Sequence, residues 1–190
     1  MKFLEVTSHH DTQIVSTADL KTHLRITFSD DDTYIAGLEK AAVHRIEEFT
    51  NTYLLETTLR QYGNRFSDLN ILYKSPMKAD STTIDYRSSS AWVTLAAADY
   101  EVIHQIKPPR IYPAQDSTLP TTDDVFTAWR CSYTVGYAAA SDIPDPIIQA
   151  IKIVVADMYE NRQSVIVGKI VSEIPKTAQY LMNPYKIQTL

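Results

Sequence analysis

The stretch from Pro144 to Arg162 constrains this chain most. Ile147, Ile148, Ile151, Val154, Val155, Met158 and Tyr159 recur at steps of three and four, the apolar face of an amphipathic helix. Ile153 and Ala156 lie off that face, so the helix is apolar nearly all round. A helix of that kind belongs inside a bundle, with neighbours on most sides. Asp145 is placed to cap its start, and Pro146 fits the first helical position, where a missing N–H costs nothing.

The N-terminal third supplies the neighbours. Ser16-Thr17-Ala18-Asp19 has the form of a capping box and opens a short helix with Leu20 and Leu24 on one face. The acidic run Ser29-Asp30-Asp31-Asp32 precedes a second periodic segment, Thr33 to Thr50, on which Ile35, Leu38, Ala42, Ile46 and Phe49 line one side. Acids there suit the positive end of a helix. A calcium loop would need spaced oxygen ligands, a glycine and a closing glutamate, and these are missing. His44, Glu47 and Glu48 share one helical surface. They lack the two imidazoles one turn apart of a zincin helix, so they read as a charged outer or inter-subunit face. Residues Met1 to Val15 read as a polar, extended arm. Its His9-His10-Asp11 cluster is a poor metal site, because adjacent histidines do not easily share one ion.

From Thr57 the period changes to alternation. Thr57–Phe66, Leu69–Tyr73, Thr82–Arg87, Ala91–Leu95, Tyr100–Ile103, Arg110–Tyr112 and Val125–Val135 read as strands, dense in β-branched and aromatic residues. Polar loops at 74–80 and 113–124 separate them. Gly136 to Ile143 returns the chain to the central helix. The expected fold is α+β, in two parts. Residues 1–56 and 135–190 form a small, discontinuous helical bundle. Residues 57–134 form an inserted antiparallel domain, sandwich-like or barrel-like. After Arg162 an irregular stretch is expected to Ile174. A short helix follows over 175–182, ended by Asn183-Pro184-Tyr185. The apolar residues of the last few positions have nothing local to bury them and are either disordered or docked.

Composition removes several functions. The chain has 18 Lys and Arg against 23 Asp and Glu, a formal charge of −5, so it lacks the basic excess of a protein that grips DNA phosphates. Only 4 glycines are available for phosphate-binding loops. Cys131 is the single cysteine, which rules out a disulfide framework within one chain and fits a reducing cytosol. No apolar window is long enough to span a membrane, and the N-terminal apolar run breaks too early for a signal peptide. No nucleophile, dinucleotide, P-loop or metal motif occurs, so no enzyme activity, cofactor or metal is expected. The 12 tyrosines and 2 tryptophans leave one alternative: a carbohydrate- or protein-binding module acting through the β domain.

The order of motifs resembles that of tailed-phage head–tail connector (adaptor) proteins. Leu20-Lys21-x-x-Leu24-Arg25-Ile26, then Asp30-Asp31-Asp32 opening a helix with Ala41-Ala42 and Glu47-Glu48, is similar to their N-terminal half. Tyr133-x-x-Gly136-Tyr137, Ile143-Pro144-x-Pro146-Ile147-x-x-Ala150-Ile151, Tyr159-Glu160-Asn161-Arg162 and Asn183-Pro184-Tyr185 are similar to the second half. The likeness runs to the branch with a β insertion, which includes gene-transfer-agent adaptors.

The resemblance implies a structural virion protein in the neck between capsid and tail, assembled in the host cytoplasm. It implies a homo-oligomeric ring below the portal protein, dodecameric in the virion and able to start from monomers. The ring would extend the DNA channel, let DNA pass without specific binding, and carry a stopper or tail-completion protein. By the same analogy Tyr185, Ile187 and Leu190 contact the portal and Pro184 directs the tail. Ring closure needs two different faces to meet. The acidic face with Glu47 and Glu48 is expected to meet basic residues of a neighbour, Arg45 or Arg162.

Overall fold

A computed structural model describes residues 3–9, 12–162, 165–166, 169–170 and 174–187. In chain order the elements are β1 (Phe3–Ser8), α1 (Thr17–Leu24), α2 (Asp32–Thr50), β2 (Thr57–Gly63), β3 (Thr83–Ser88), β4 (Ala91–Thr94), β5 (Tyr100–Ile103), β6 (Arg110–Pro113), β7 (Trp129–Val135), α3 (Asp145–Glu160), β8 (Val165–Ile166), β9 (Lys169–Ile170) and α4 (Lys176–Met182). The fold is α+β. Among the described residues, 3–9, 55–138 and 187 cluster as one compact unit, and 12–54 with 139–186 as another.

The β unit is an antiparallel sheet in the order β1-β2-β7-β3-β4, with a separate β5-β6 ribbon. Its central pair, β2 and β7, alternates buried and half-buried residues along its whole length. That is the period-two pattern of a sheet with one face on a core. Leu59, Ile84, Cys131, Tyr133 and Val135 fill the core side, with Leu69, Leu72 and Ile111 packed among them. Burial of the Cys131 thiol pushes its pKa far up, so it is inert at neutral pH. Gly136 closes the unit at φ +100, where a Cβ would lie 2.2 Å from the Leu55 carbonyl oxygen, and only glycine fits.

Two expectations change here. Residues 3–9 leave the helical domain to which they were assigned, because Phe3–Ser8 pairs with β2 from Phe3 opposite Tyr62 onward. The expected strand Leu69–Tyr73 is instead a 3-10 turn over Phe66–Leu69 with one isolated bridge at Ile71. Buried side chains capture its backbone. Gln61 Nε2 donates to the Asp68 and Ile71 carbonyls at 3.2 and 3.0 Å. The Tyr133 hydroxyl donates to the Tyr73 carbonyl at 2.8 Å and accepts from its N–H at 3.1 Å.

In the helical unit α3 occupies the centre, touching α1, α2 and α4. Ile147, Ala150, Ile151, Val154 and Val155 are buried there. Each of the larger side chains contributes about 1.5–3 kcal/mol on burial. The Ser16 hydroxyl accepts from the Asp19 N–H at 3.1 Å and starts α1, as the capping-box spacing predicts. Residues 165–170, expected to be irregular, include the short β8–β9 hairpin. Val165, Ile166 and Ile170 are β-branched and favour extended backbone.

Candidate functional site

No group of three or more metal-capable side chains occurs among the described residues. His10 and Asp11 of the N-terminal cluster lie outside them. No described helix is long and apolar enough to cross a membrane.

Helix α2 carries two buried glutamates, and both serve the chain internally. Glu39, 1% exposed, accepts the N–H groups of Ile14 and Val15 at 2.8 and 3.2 Å and fixes the segment leading into α1. Burial raises its pKa, against the opposing pull of those two donors. Glu47 is 5% exposed and accepts the Leu54 N–H at 2.8 Å, holding the chain as it leaves α2. Glu47 was expected on an outer acidic face; the carboxylate turns inward because the turn after Asn51 leaves a backbone donor that needs an acceptor. Glu48 remains exposed, 3.4 Å from His44 Nε2, and Arg45 is half-buried.

Arg162, also expected to reach a neighbouring subunit, is held within its own. Its Nη2 donates to Asp31 Oδ2 at 2.7 Å, and its guanidinium lies 4.8 Å from the ring centres of both Tyr34 and Tyr159. The Tyr159 hydroxyl donates to the same Asp31 oxygen at 2.5 Å. Donation by Tyr159 and then by Arg162 lowers the Asp31 pKa, while the carboxylate raises that of Tyr159. The start of α2 and the end of α3 are thereby fastened together. Half of the Arg162 side chain stays exposed, so one edge of the cluster is open to a partner.

The C-terminal segment is laid out residue by residue. Pro184 is exposed and Tyr185 half-buried, within a 3-10 turn over Asn183–Tyr185. Lys186 Nζ sits 4.5 Å above the Phe49 ring. Ile187, expected at the portal, is 5% exposed in the free chain and clusters with the β unit. Leu190 lies outside the described residues. Sequence reasoning missed Tyr180, which is 78% exposed on α4. The signal was available: Ala178 and Met182 are the buried pair one turn apart, which leaves Tyr180 on the opposite side.

The sequence matches the profile of the phage gp6-like head-tail connector protein family over residues 15–107 and 114–186. No curated protein sequence matches it. The fold is similar to that of a chain from the neck of an empty GTA particle computed with C6 symmetry, with a TM-score of 0.78 at 20% identity, covering 99% of this chain and 97% of that one. A chain from the virion of the native gene transfer agent particle gives 0.77 at 19% identity, covering 98% and 96%. A chain from the native GTA neck computed with C12 symmetry gives 0.74 at 19%, covering 99% and 97%. The family profile spans both compact units and all four α-helices, and on that match this chain belongs to the phage gp6-like head–tail connector family.

Proposed function

We propose that the chain assembles as a ring below the portal protein in the virion neck, extends the DNA channel, and gives the stopper or tail-completion protein its seat. The observation that carries this reading is the family match across both units. The C6 and C12 symmetries of the neck particles that share the fold favour a ring. The role is mechanical, without a catalytic step or cofactor. A formal charge of −5 suits a channel wall past which DNA slides. Assembly takes place in the host cytoplasm, from monomers gathered on the portal.

Portal contact falls to the C-terminal segment: the exposed Tyr180 and Pro184, the half-buried Tyr185, and Leu190. The subunit interface draws on Glu48 and Arg45 of α2 and on the open edge of the Arg162 cluster. Glu47 supports the α2 face from inside by holding the Leu54 N–H, and Ile187 continues the portal-binding segment. The test is the variant Tyr180→Ala/Tyr185→Ala. Its far-UV circular dichroism should match the parent, while co-sedimentation with purified portal protein is lost. Undiminished co-sedimentation would remove the C-terminal segment from the docking role.

A further inference from the structure

The side of the five-stranded sheet turned away from its core carries a joined patch of arginines and aromatic rings. Register puts Phe3, Tyr62 and Arg130 in one row across β1, β2 and β7, with Arg87 opposite Trp92 on β3 and β4. Phe3 stacks on Tyr62 at 4.4 Å between ring centres, and Tyr62 reaches Trp92 at 6.4 Å. The guanidiniums of Arg87 and Arg130 lie 5.2 and 4.3 Å from the Trp92 ring centre. Aromatic side chains and arginine are the residues enriched at the centres of protein interfaces.

The charges on this face do not balance. Arg60 lies 3.7 Å from Glu5, and Arg130 donates to Asp85 at 2.8 Å. Arg87 has no acid beside it among the described residues, and its Nε is buried without an acceptor. The Asp123 N–H donates to the Arg87 carbonyl, but the Asp123 carboxylate takes the Ser89 and Ser90 N–H groups at 3.0 and 2.8 Å. A guanidinium drawn out of water without an anion is destabilising. The face therefore fits a partner that brings a carboxylate beside an apolar group.

The loop between α1 and α2 has that composition. Phe28 is 49% exposed, and Asp30 is exposed. Asp31 is taken by Tyr159 and Arg162, and Asp32 by Lys21 at 2.8 Å, whereas Asp30 has no such partner among the described residues. Residues two positions apart span at most about 7 Å, so one loop can reach both a ring and the guanidinium 5.2 Å from it. A second copy of this chain presents the loop at every junction of a ring. Asp30 also adjoins Asp31, the anchor of the open Arg162 edge assigned above to the interface.

We propose that the Phe28–Asp30 loop of one copy docks on the sheet face of the next, with Asp30 paired to Arg87 and Phe28 against Trp92. The contact is heterologous, helical unit to β unit, which is the kind that a closed ring requires. It rests on the ring reading above and names the surface on the neighbour.

The test is charge exchange between copies on the portal. Arg87→Glu and Asp30→Lys are made singly, and sedimentation velocity gives the chain concentration that half-fills the portal. Each should need about tenfold more chain, as for a close charge pair broken across an interface. An equimolar mixture of the two should recover parental filling, because every junction of an alternating ring again joins opposite charges. Phe28→Ala and Asp30→Lys, both on an exposed loop, should keep the parental melting temperature, so their weaker filling is read free of any folding loss at Arg87. Parental filling by either loop variant overturns the proposal. With Arg87→Glu folded by circular dichroism, recovery by the Arg87→Glu/Asp30→Lys double variant but not by the mixture places the pairing within one chain and also overturns it. Recovery by neither gives the face to another protein and does the same. If the unsubstituted chain does not gather on the portal, the ring reading itself falls, and this inference with it.

Discussion

Glu47→Ala separates an internal role from an interface role. The carboxylate is 5% exposed and accepts the Leu54 N–H at 2.8 Å. Alanine removes a charge-assisted hydrogen bond and leaves a buried amide without its acceptor, a loss of about 2 kcal/mol. In a domain of this size each kcal/mol moves the melting temperature by about 2–4 °C, so a fall of roughly 4–8 °C is expected. The assay is thermal unfolding of the free chain by circular dichroism, with no portal present. Glu47→Gln keeps an acceptor oxygen and should recover most of the loss. Glu48→Ala, on the exposed side of the same turn, should shift melting by less than about 1 °C, since an exposed pair contributes little. An unchanged melting temperature for Glu47→Ala, together with impaired ring assembly, would refute the internal role and return this residue to the subunit interface.

Two further predictions concern pH. Burial raises the Glu39 pKa, so the folded state binds its proton more readily than the unfolded state and stability falls as pH rises through the folded value. Glu39→Gln, which retains the acceptor for Ile14 and Val15, should therefore melt at or above the parent temperature at neutral pH. That advantage should shrink as pH falls through and below the ordinary glutamate range, where the parent carboxyl takes up its proton in both states; unfolding across a pH series checks both limbs. The Asp31 pKa is lowered by Tyr159 and Arg162, so its contribution is present above the ordinary aspartate range and is lost as pH falls through the folded value. Asp31→Asn should be less stable than the parent at neutral pH and equal to it in strong acid. A constant difference at every pH would show that the loss is steric.

Much of the helical unit is legible in the sequence because its signals are local. The spacing of Ile147, Ile151, Val154 and Val155 specifies one helix face, and Ser16 with Asp19 marks a start within four residues. What could not be read depends on partners distant in the chain. Phe3–Ser8 has too little alternation to announce a strand; it becomes one only beside Thr58–Tyr62. Leu69–Tyr73 has strand composition, yet Gln61 and Tyr133 take the carbonyls a strand neighbour would have used. Glu47 looks like a surface acid until the Leu54 amide is seen beneath it. Arg162 likewise meets Asp31 across 131 positions of sequence, a pairing that no local pattern contains. The candidate surfaces thus shift from the charged residues that sequence picks out toward exposed aromatics such as Tyr180, because charges at a helix end find partners inside the chain and a lone exposed ring does not.

The central claim is that this head–tail connector forms a ring on the portal, and the mass of the complex tests it most directly. Sedimentation velocity of the chain alone, and titrated onto its purified portal, gives both masses. The account predicts saturation at one copy per portal subunit, with cooperative uptake as neighbours close the ring. Saturation at a single copy per portal, or no association at excess chain, would contradict it.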